Sequence, residues 1–118
     1  MLVKRKTVDK SSRMATLGAM NTLIQSLEFA TWLAGLRDST SRARITNRIL
    51  RAVGGNFGDC APVGDGISEM RIHCGPGYRV YFVRRGEAFY LLLVGGDKST
   101  QPQDISRAKA MLSTLPKE

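Results

Sequence analysis

The stretch that decides the fold is residues 67–94, ISEMRIHCGPGYRVYFVRRGEAFYLLLV. It contains three β-prone runs, separated by Gly75-Pro-Gly77 and by Arg85-Gly-Glu87. Connections this short join antiparallel neighbours, because parallel strands need a much longer crossover. The last run is apolar at both parities, as expected for a central strand covered on both faces. The stretch therefore predicts three strands in antiparallel hairpins, which are residues 67–74, 78–85 and 88–94.

Helical patterns flank these strands on both sides. Apolar residues recur at helical spacing after Ser26, after Ser39 or Thr40, and after Ser99 or Thr100, and each of these hydroxyl residues can cap a helix. Trp32 belongs to the first apolar stripe, which favours a place in the core over an exposed stacking role.

Two further segments complete the predicted order. Residues 21–25 form a short β-prone run, whereas residues 54–66 contain five Gly and one Pro and are typical of a loop. The sequence thus predicts one α+β domain with a small, mainly antiparallel sheet. We expect its helices to pack on one face, in the order β-α-α-β-β-β-α.

Composition limits the class of function. The 118 residues carry a formal net charge of +8, and 42% of them are hydrophobic, which is enough for one buried core. The longest uncharged apolar run, residues 88–94, is too short to cross a bilayer. Excess positive charge favours a polyanionic partner such as RNA, DNA, the ribosome or an acidic protein segment.

The cysteines and the single histidine give no sign of a cofactor. Cys60 and Cys74 lack a CxxC spacing and have only His73 beside them, so neither a metal site nor a disulfide framework is predicted. Reduced thiols are typical of a cytoplasmic protein, and the sequence predicts that location.

The N-terminal residues hold half of the net charge. Residues 1–20 contain five Lys and Arg against one Asp, a net charge of +4, and no apolar core of a secretory signal. We interpret residues 1–20 as a basic extension, either a disordered arm, a weak transit-like segment or residues upstream of a natural start at Met20. The folded domain is expected to span residues 21–118.

Strand parity assembles a candidate site. Side chains alternate across a strand, so Glu69, Arg71 and His73 should share one face of the first hairpin strand. If the apolar sides pair across the hairpin, Arg79 and Tyr81 join them on one open sheet face.

These five residue types suit phosphodiester cleavage by a neighbouring 2′-hydroxyl. Arg71 and Arg79 could stabilise the phosphorane, because a guanidinium can bind two phosphate oxygens at once. Glu69 or His73 could act as the base, and Tyr81 could act as the acid or stack on a nucleobase. The alternative is that Glu69 and Arg71 form surface ion pairs while Tyr81 covers the core.

Basic residues outside the sheet face add candidates for phosphate binding. Lys98 follows the last strand and could supply a further cation. Arg44, Arg48 and Arg51 lie at i, i+4 and i+7 of the second helix, either as a solvated face or as a ridge that binds RNA or an acidic partner.

Several segments resemble the RelE/ParE superfamily of toxins, and within it the HigB-like, phage-derived addiction module killer branch. The similarity covers about residues 21–115. The segments that carry it are FATWL from Phe29, EMRI from Glu69, GPGYRVYF from Gly75, LLVGGDKSTQ from Leu92 and DISRA from Asp104.

The resemblance implies the toxin of a type II toxin-antitoxin module, held inactive by an antitoxin that is often a helix-turn-helix protein. RelE and HigB relatives cleave mRNA on the ribosome without a metal. Arg79 matches the arginine that contacts the scissile phosphate in RelE-like toxins, and Glu69, Arg71 and Lys98 lie where relatives carry acid-base or cationic residues. Several relatives also place a catalytic Tyr or His near the C-terminus, where this chain has neither.

Two other functions stay open at the sequence level. ParE relatives inhibit DNA gyrase by binding, which requires no acid-base set. A basic module that binds RNA or a protein partner without catalysis is also compatible with the charge.

Overall fold

The computed structural model describes residues 20–117, so the predicted basic extension lies outside the described residues apart from Met20. Within residues 20–117, no helix is both long and apolar enough to cross a membrane. The elements are β1 (Thr22–Gln25), α1 (Leu27–Ala34), α2 (Ser39–Val53), β2 (Cys60–Gly64), β3 (Ile67–Ile72), β4 (Tyr78–Gly86), β5 (Phe89–Asp97), a 3-10 turn (Lys98–Thr100) and α3 (Gln101–Ser113).

The five described strands form a single mixed sheet in the order β1-β5-β4-β3-β2. β1 pairs with β5 in parallel, and the other neighbours are antiparallel. The predicted α+β class and the two hairpins within residues 67–97 are therefore confirmed. β5 lies between β1 and β4, and its residues belong to buried clusters on both faces of the sheet, which accounts for its apolar residues at both parities.

The prediction that residues 54–66 form a loop is wrong for the second half of that segment. Cys60–Gly64 is an edge strand, antiparallel to β3, so the described order is β-α-α-β-β-β-β-α. The glycines that suggested a loop belong partly to the turn between the two strands. Gly64, Asp65 and Gly66 all have positive φ there, a backbone conformation that glycine adopts at little cost.

The prediction that the helices pack on one face is also wrong. Helices α1 and α2 cover one face of the sheet, where Phe29 and Ile45 pack against Val80 and Phe82. α3 covers the other face, where Ala108 is buried in the cluster that contains Tyr81 and Val83. β4 is apolar at both parities through residues 80–83, so each face needs its own cover.

Ser26 connects β1 to α1 and holds both to the sheet. Its Oγ accepts a hydrogen bond from the backbone N–H of Phe29 at 2.9 Å and donates one to the carbonyl of Leu93 at 2.6 Å. The first bond caps α1 and the second joins the cap to β5. The two bonds hold the start of α1 beside Leu93 of β5, directly after the last residue of β5 that pairs with β1.

We expect Ser26→Ala to lower the free energy of unfolding by about 1–2 kcal/mol, since it removes a helix cap together with a tertiary hydrogen bond. Urea unfolding measures the loss. Ser106→Ala, at an exposed position of α3, is the matched control and should stay within about 0.5 kcal/mol of the parent. Equal losses in the two variants would contradict the role of Ser26.

Candidate functional site

Glu69 is the centre of a buried polar cluster on the face covered by α3. Its side chain is only 1% exposed, although it carries a charge. Oε2 accepts hydrogen bonds from the Tyr81 hydroxyl at 3.0 Å and from Nε2 of Gln101 at 2.5 Å. Oε1 accepts one from Nε of Arg71 at 3.1 Å. The carboxylate is thus held by three donors from three different elements.

The register of the central hairpin places these groups side by side. Glu69 lies opposite Tyr81 across β3 and β4, and Arg71 lies opposite Arg79. Side chains at i and i+2 of a strand share a face, so all four point toward α3. Gln101 is the first residue of α3 and reaches the same carboxylate from the next layer.

Arg79 is the cation of this cluster that makes no hydrogen bond to the described residues. Its side chain is 12% exposed, and Nη1 lies 4.0 Å from Oε1 of Glu69. Nε is buried and makes no hydrogen bond to residues 20–117. The guanidinium is therefore fixed beside a carboxylate but keeps donors that no described residue accepts.

A second, more exposed group extends from Arg71 toward solvent. Nη1 of Arg71 lies 3.5 Å from Oδ1 of Asp59, and Oδ2 of Asp59 lies 2.7 Å from Nε2 of His73. The hydrogen bond with His73, aided by the charge of Arg71, lowers the pKa of Asp59. The imidazole is 72% exposed, so Asp59 orients it while leaving it accessible.

The cluster holds Glu69 in its charged form and Tyr81 in its neutral form. Burial raises the pKa of Glu69, but hydrogen bonds from Gln101, Arg71 and Tyr81, with the charge of Arg79, outweigh burial, and the net pKa is lowered. Burial and the adjacent carboxylate of Glu69 raise the pKa of Tyr81 far above its usual value. Glu69 is thus a weak base, and Tyr81 releases its proton reluctantly.

The face predicted to be open is therefore not open at its centre. Tyr81 is fully buried beneath α3, so its ring cannot stack on a nucleobase in this structure. The geometry supports the alternative in which Tyr81 fills the core and Glu69 is an ion-pair partner, here a buried one. Of the other predicted site residues, Arg71 is 37% exposed and His73 is 72% exposed, whereas Arg79 is only 12% exposed.

The remaining predicted cations are in different places. Lys98 is exposed, and its side chain packs against Gly77. A Cβ added to Gly77 would lie 3.4 Å from the Lys98 side chain. Arg48 donates to the carbonyls of Phe57, at 2.9 Å, and of Arg71, so it ties α2 to the segment before β2 and to β3. Arg44 and Arg51 are exposed. Of the three arginines predicted to bind phosphate from α2, two are therefore exposed, and Arg48 makes structural contacts instead.

Sequence reasoning missed Asp59 and Gln101. Asp59 precedes a strand that was expected to be a loop, so its pairing next to β3 could not be foreseen. Gln101 falls within a segment that resembles the toxins, but nothing in its identity indicated a contact with Glu69. Among residues 20–117, no three His, Cys, Asp or Glu side chains converge as metal ligands would.

Comparison with known proteins gives one informative relative. No family model matches the chain. No solved structure matches it either. A protein of Haemophilus influenzae is 47% identical over 90 residues, which are 76% of this chain and 91% of the relative. The chain belongs to the same family as this Haemophilus protein. The relative is described as uncharacterized. Membership in the family therefore indicates shared ancestry but does not assign an activity.

Proposed function

We propose that the chain is the toxin of a type II toxin-antitoxin module and acts as a ribosome-dependent mRNA endoribonuclease in the cytoplasm. The observation that carries the proposal is the pair Arg71 and Arg79, adjacent across β3 and β4 and held by the buried carboxylate of Glu69. A preorganised pair of guanidinium groups suits the extra negative charge of a phosphorane.

The structure favours particular roles within that proposal. Arg79, whose guanidinium is partly exposed and lies 4.0 Å from Glu69, would bind the scissile phosphate, and Arg71 would assist from the neighbouring strand. His73, oriented by Asp59 and accessible to solvent, is the best-placed group for proton transfer. Glu69 would position both arginines, since its carboxylate already accepts three hydrogen bonds and its side chain is only 1% exposed to substrate.

A further observation supports the toxin family. The segments that resemble RelE-like and HigB-like toxins include the β3–β4 hairpin and the turn into α3, which are the elements that build the cluster. The resemblance further implies a cognate antitoxin, often of the helix-turn-helix type, as the inhibitory partner.

The direct test is Arg79→Ala in the full chain, assayed for cleavage of a translated mRNA on ribosomes and for growth arrest on expression. We expect cleavage to fall about 100-fold, the effect of removing one preorganised donor to a charged transition state. Arg37→Ala is the matched control, because this exposed arginine lies between α1 and α2 and should leave the rate unchanged.

The outcomes separate this proposal from the alternatives. Parental cleavage by a folded Arg79→Ala variant would refute the site. Intact mRNA together with inhibition of DNA supercoiling would identify a gyrase inhibitor. Salt-sensitive RNA binding with neither cleavage nor growth arrest would identify a non-catalytic binding module.

A further inference from the structure

We propose that Asp59 is the positioning residue for proton transfer at the candidate site, and that it leaves Nδ1 of His73 free to accept the proton of the attacking 2′-hydroxyl. This role rests on the proposed ribonuclease function and deepens it, because it assigns the base to one atom and names the residue that holds that atom in place. The observations that carry it are the hydrogen bond between the two side chains and the contacts that fix Asp59.

The hydrogen bond decides which nitrogen of the imidazole carries a proton. Oδ2 of Asp59 lies 2.7 Å from Nε2 of His73. The carboxylate is ionised at neutral pH, because the hydrogen bond with His73 and the charge of Arg71 lower the pKa of Asp59. An ionised carboxylate only accepts hydrogen bonds, so Nε2 is the donor. In the neutral ring the second nitrogen, Nδ1, therefore keeps a free lone pair.

His73 is also the accessible base of the cluster. Within residues 20–117, its exposed imidazole pairs with no side chain except Asp59. Glu69 is buried and already accepts three hydrogen bonds, and Tyr81 is fully buried. Nδ1 therefore combines a free lone pair with a position that a ribose hydroxyl can reach.

The backbone beneath Asp59 is held from three directions. Its carbonyl accepts a hydrogen bond from the backbone N–H of Arg71 at 2.9 Å, which ties it to β3. Nη2 of Arg48, on α2, donates to the carbonyl of Phe57 at 2.9 Å. The ring of Phe57 stacks on Phe82 of the core, with 5.2 Å between the centroids. The carboxylate of Asp59 thus projects from a fixed segment, as a group that orients a base requires.

Asp59 also links the base to the arginines proposed to bind phosphate. Its Oδ1 lies 3.5 Å from Nη1 of Arg71, while its Oδ2 holds His73. Arg71 and His73 are two residues apart at the end of β3, a separation of about 7 Å along an extended chain. Because both side chains meet the same carboxylate, they lie on the same side of the sheet. A nucleotide whose phosphate binds Arg71 can therefore place its 2′-hydroxyl against Nδ1.

The proposed step is a transesterification within the RNA strand. Nδ1 takes the proton of the 2′-hydroxyl while the 2′-oxygen forms a bond to phosphorus. The bond from phosphorus to the 5′-oxygen breaks, its electron pair stays on that oxygen, and a water molecule protonates it. The resulting hydroxide takes the proton of the imidazolium, which restores the neutral ring. The products carry a 2′,3′-cyclic phosphate and a 5′-hydroxyl.

A double-mutant cycle on the full chain tests the role of Asp59 through mRNA cleavage on ribosomes. We expect His73→Ala to lower kcat about 100-fold, which is the smaller end of what a general base contributes. Asp59→Ala should lower kcat about tenfold without a rise in KM, because Nδ1 is still present but loses its orientation. In the His73→Ala background, Asp59→Ala should change kcat less than about twofold, since Asp59 acts only through the imidazole.

Asp65→Asn is the matched control for the loss of a carboxylate. Asp65 is exposed in the turn between β2 and β3, and asparagine tolerates the positive φ of that position. This variant should cleave as the parent does. Equal losses from Asp59→Ala in the parent and in the His73→Ala background would overturn the proposal, since Asp59 would then act directly or through Arg71. Parental kcat in Asp59→Ala would overturn it as well.

A sulfur-substituted mRNA separates a base from an acid at Nδ1. When sulfur replaces the scissile 5′-oxygen, the leaving group departs as a thiolate and needs no proton. The loss in His73→Ala should remain about 100-fold on this substrate, because the 2′-hydroxyl still requires a base. Recovery of His73→Ala to the parental rate would show that His73 protonates the leaving group, and it would overturn the assignment of Nδ1 as the base.

Nitrogen NMR of the imidazole tests the geometry without any cleavage. The chain has a single histidine, so its ring gives one pair of signals. The neutral ring of the parent should carry its proton on Nε2 alone, whereas the ring of Asp59→Ala should exchange between both tautomers. A mixture of tautomers in the parent would overturn the proposal. The Nε2–H tautomer in a parent chain that cleaves no mRNA would refute the ribonuclease and the proton-transfer role together, while the hydrogen bond itself would stand.

Discussion

Glu69→Ala should be among the most damaging single changes in the chain, with a loss of about 3–5 kcal/mol in the free energy of unfolding. The substitution removes the acceptor of three hydrogen bonds from Tyr81, Gln101 and Arg71. It also leaves Arg79, which is 12% exposed, without the carboxylate 4.0 Å away. A buried cation without its counter-charge is more costly than the lost bonds alone. Urea unfolding at neutral pH measures the effect.

The pH dependence of stability gives a second readout of the same group. The pKa of Glu69 is lower in the folded state than in the unfolded state. Its stabilising contribution is therefore fully present above the unfolded value, about 4.3, and is lost as the pH falls through the folded value. Glu69→Gln should remove this contribution, so the difference in stability between parent and variant should shrink as the pH falls below about 4.

Glu87→Gln is the matched control for the loss of a carboxylate. Glu87 is exposed in the turn between β4 and β5, so the variant should remain within about 0.5 kcal/mol of the parent. A Glu69→Gln variant as stable as Glu87→Gln at neutral pH would show that the cluster does not depend on the charge of Glu69.

The central hairpin shows how far sequence reasoning extends in this chain. Period-two alternation and two short turns are local properties, and they correctly brought Glu69, Arg71, Arg79 and Tyr81 to one face. Their chemical roles depend on burial, which comes from α3, a helix that begins only at Gln101. An exposed Glu69 could act as a base, whereas the buried one is an anchor for arginines. The alternation of side chains along a strand cannot distinguish an exposed base from a buried anchor.

The segment before β3 shows a different limit. Its glycines predicted a loop over residues 54–66, because a loop and a tight turn between two strands share the same local signal. Only pairing with β3 reveals that Cys60–Gly64 is a strand and that Asp59 lies beside Arg71. Long-range pairing of a short edge strand leaves little trace in composition, so the contact between Asp59 and His73 could not be predicted.

Gly95→Ala should destabilise the fold by about 3 kcal/mol through overpacking. A Cβ built on Gly95 would lie 2.3 Å from Cε3 and 2.4 Å from Cζ3 of Trp32. The indole cannot easily move aside, since its ring packs 5.6 Å from Phe29 and 6.1 Å from Tyr78, measured between centroids. Gly54→Ala is the matched control, because its added Cβ meets only the Arg51 carbonyl at 3.5 Å. That control should be neutral or stabilised by up to about 1 kcal/mol, since alanine restricts the unfolded chain.

A double-mutant cycle with Trp32 assigns the cause of the loss. Trp32→Leu is itself destabilising, but it opens the space that a methyl group on residue 95 requires. In that background Gly95→Ala should cost less than about 1 kcal/mol, so the two changes together should be less damaging than the sum of their separate effects. A cost in the Trp32→Leu background equal to that in the parent would rule out the indole as the obstacle. It would place the cause of the loss in the β5 strand itself, away from the indole of Trp32.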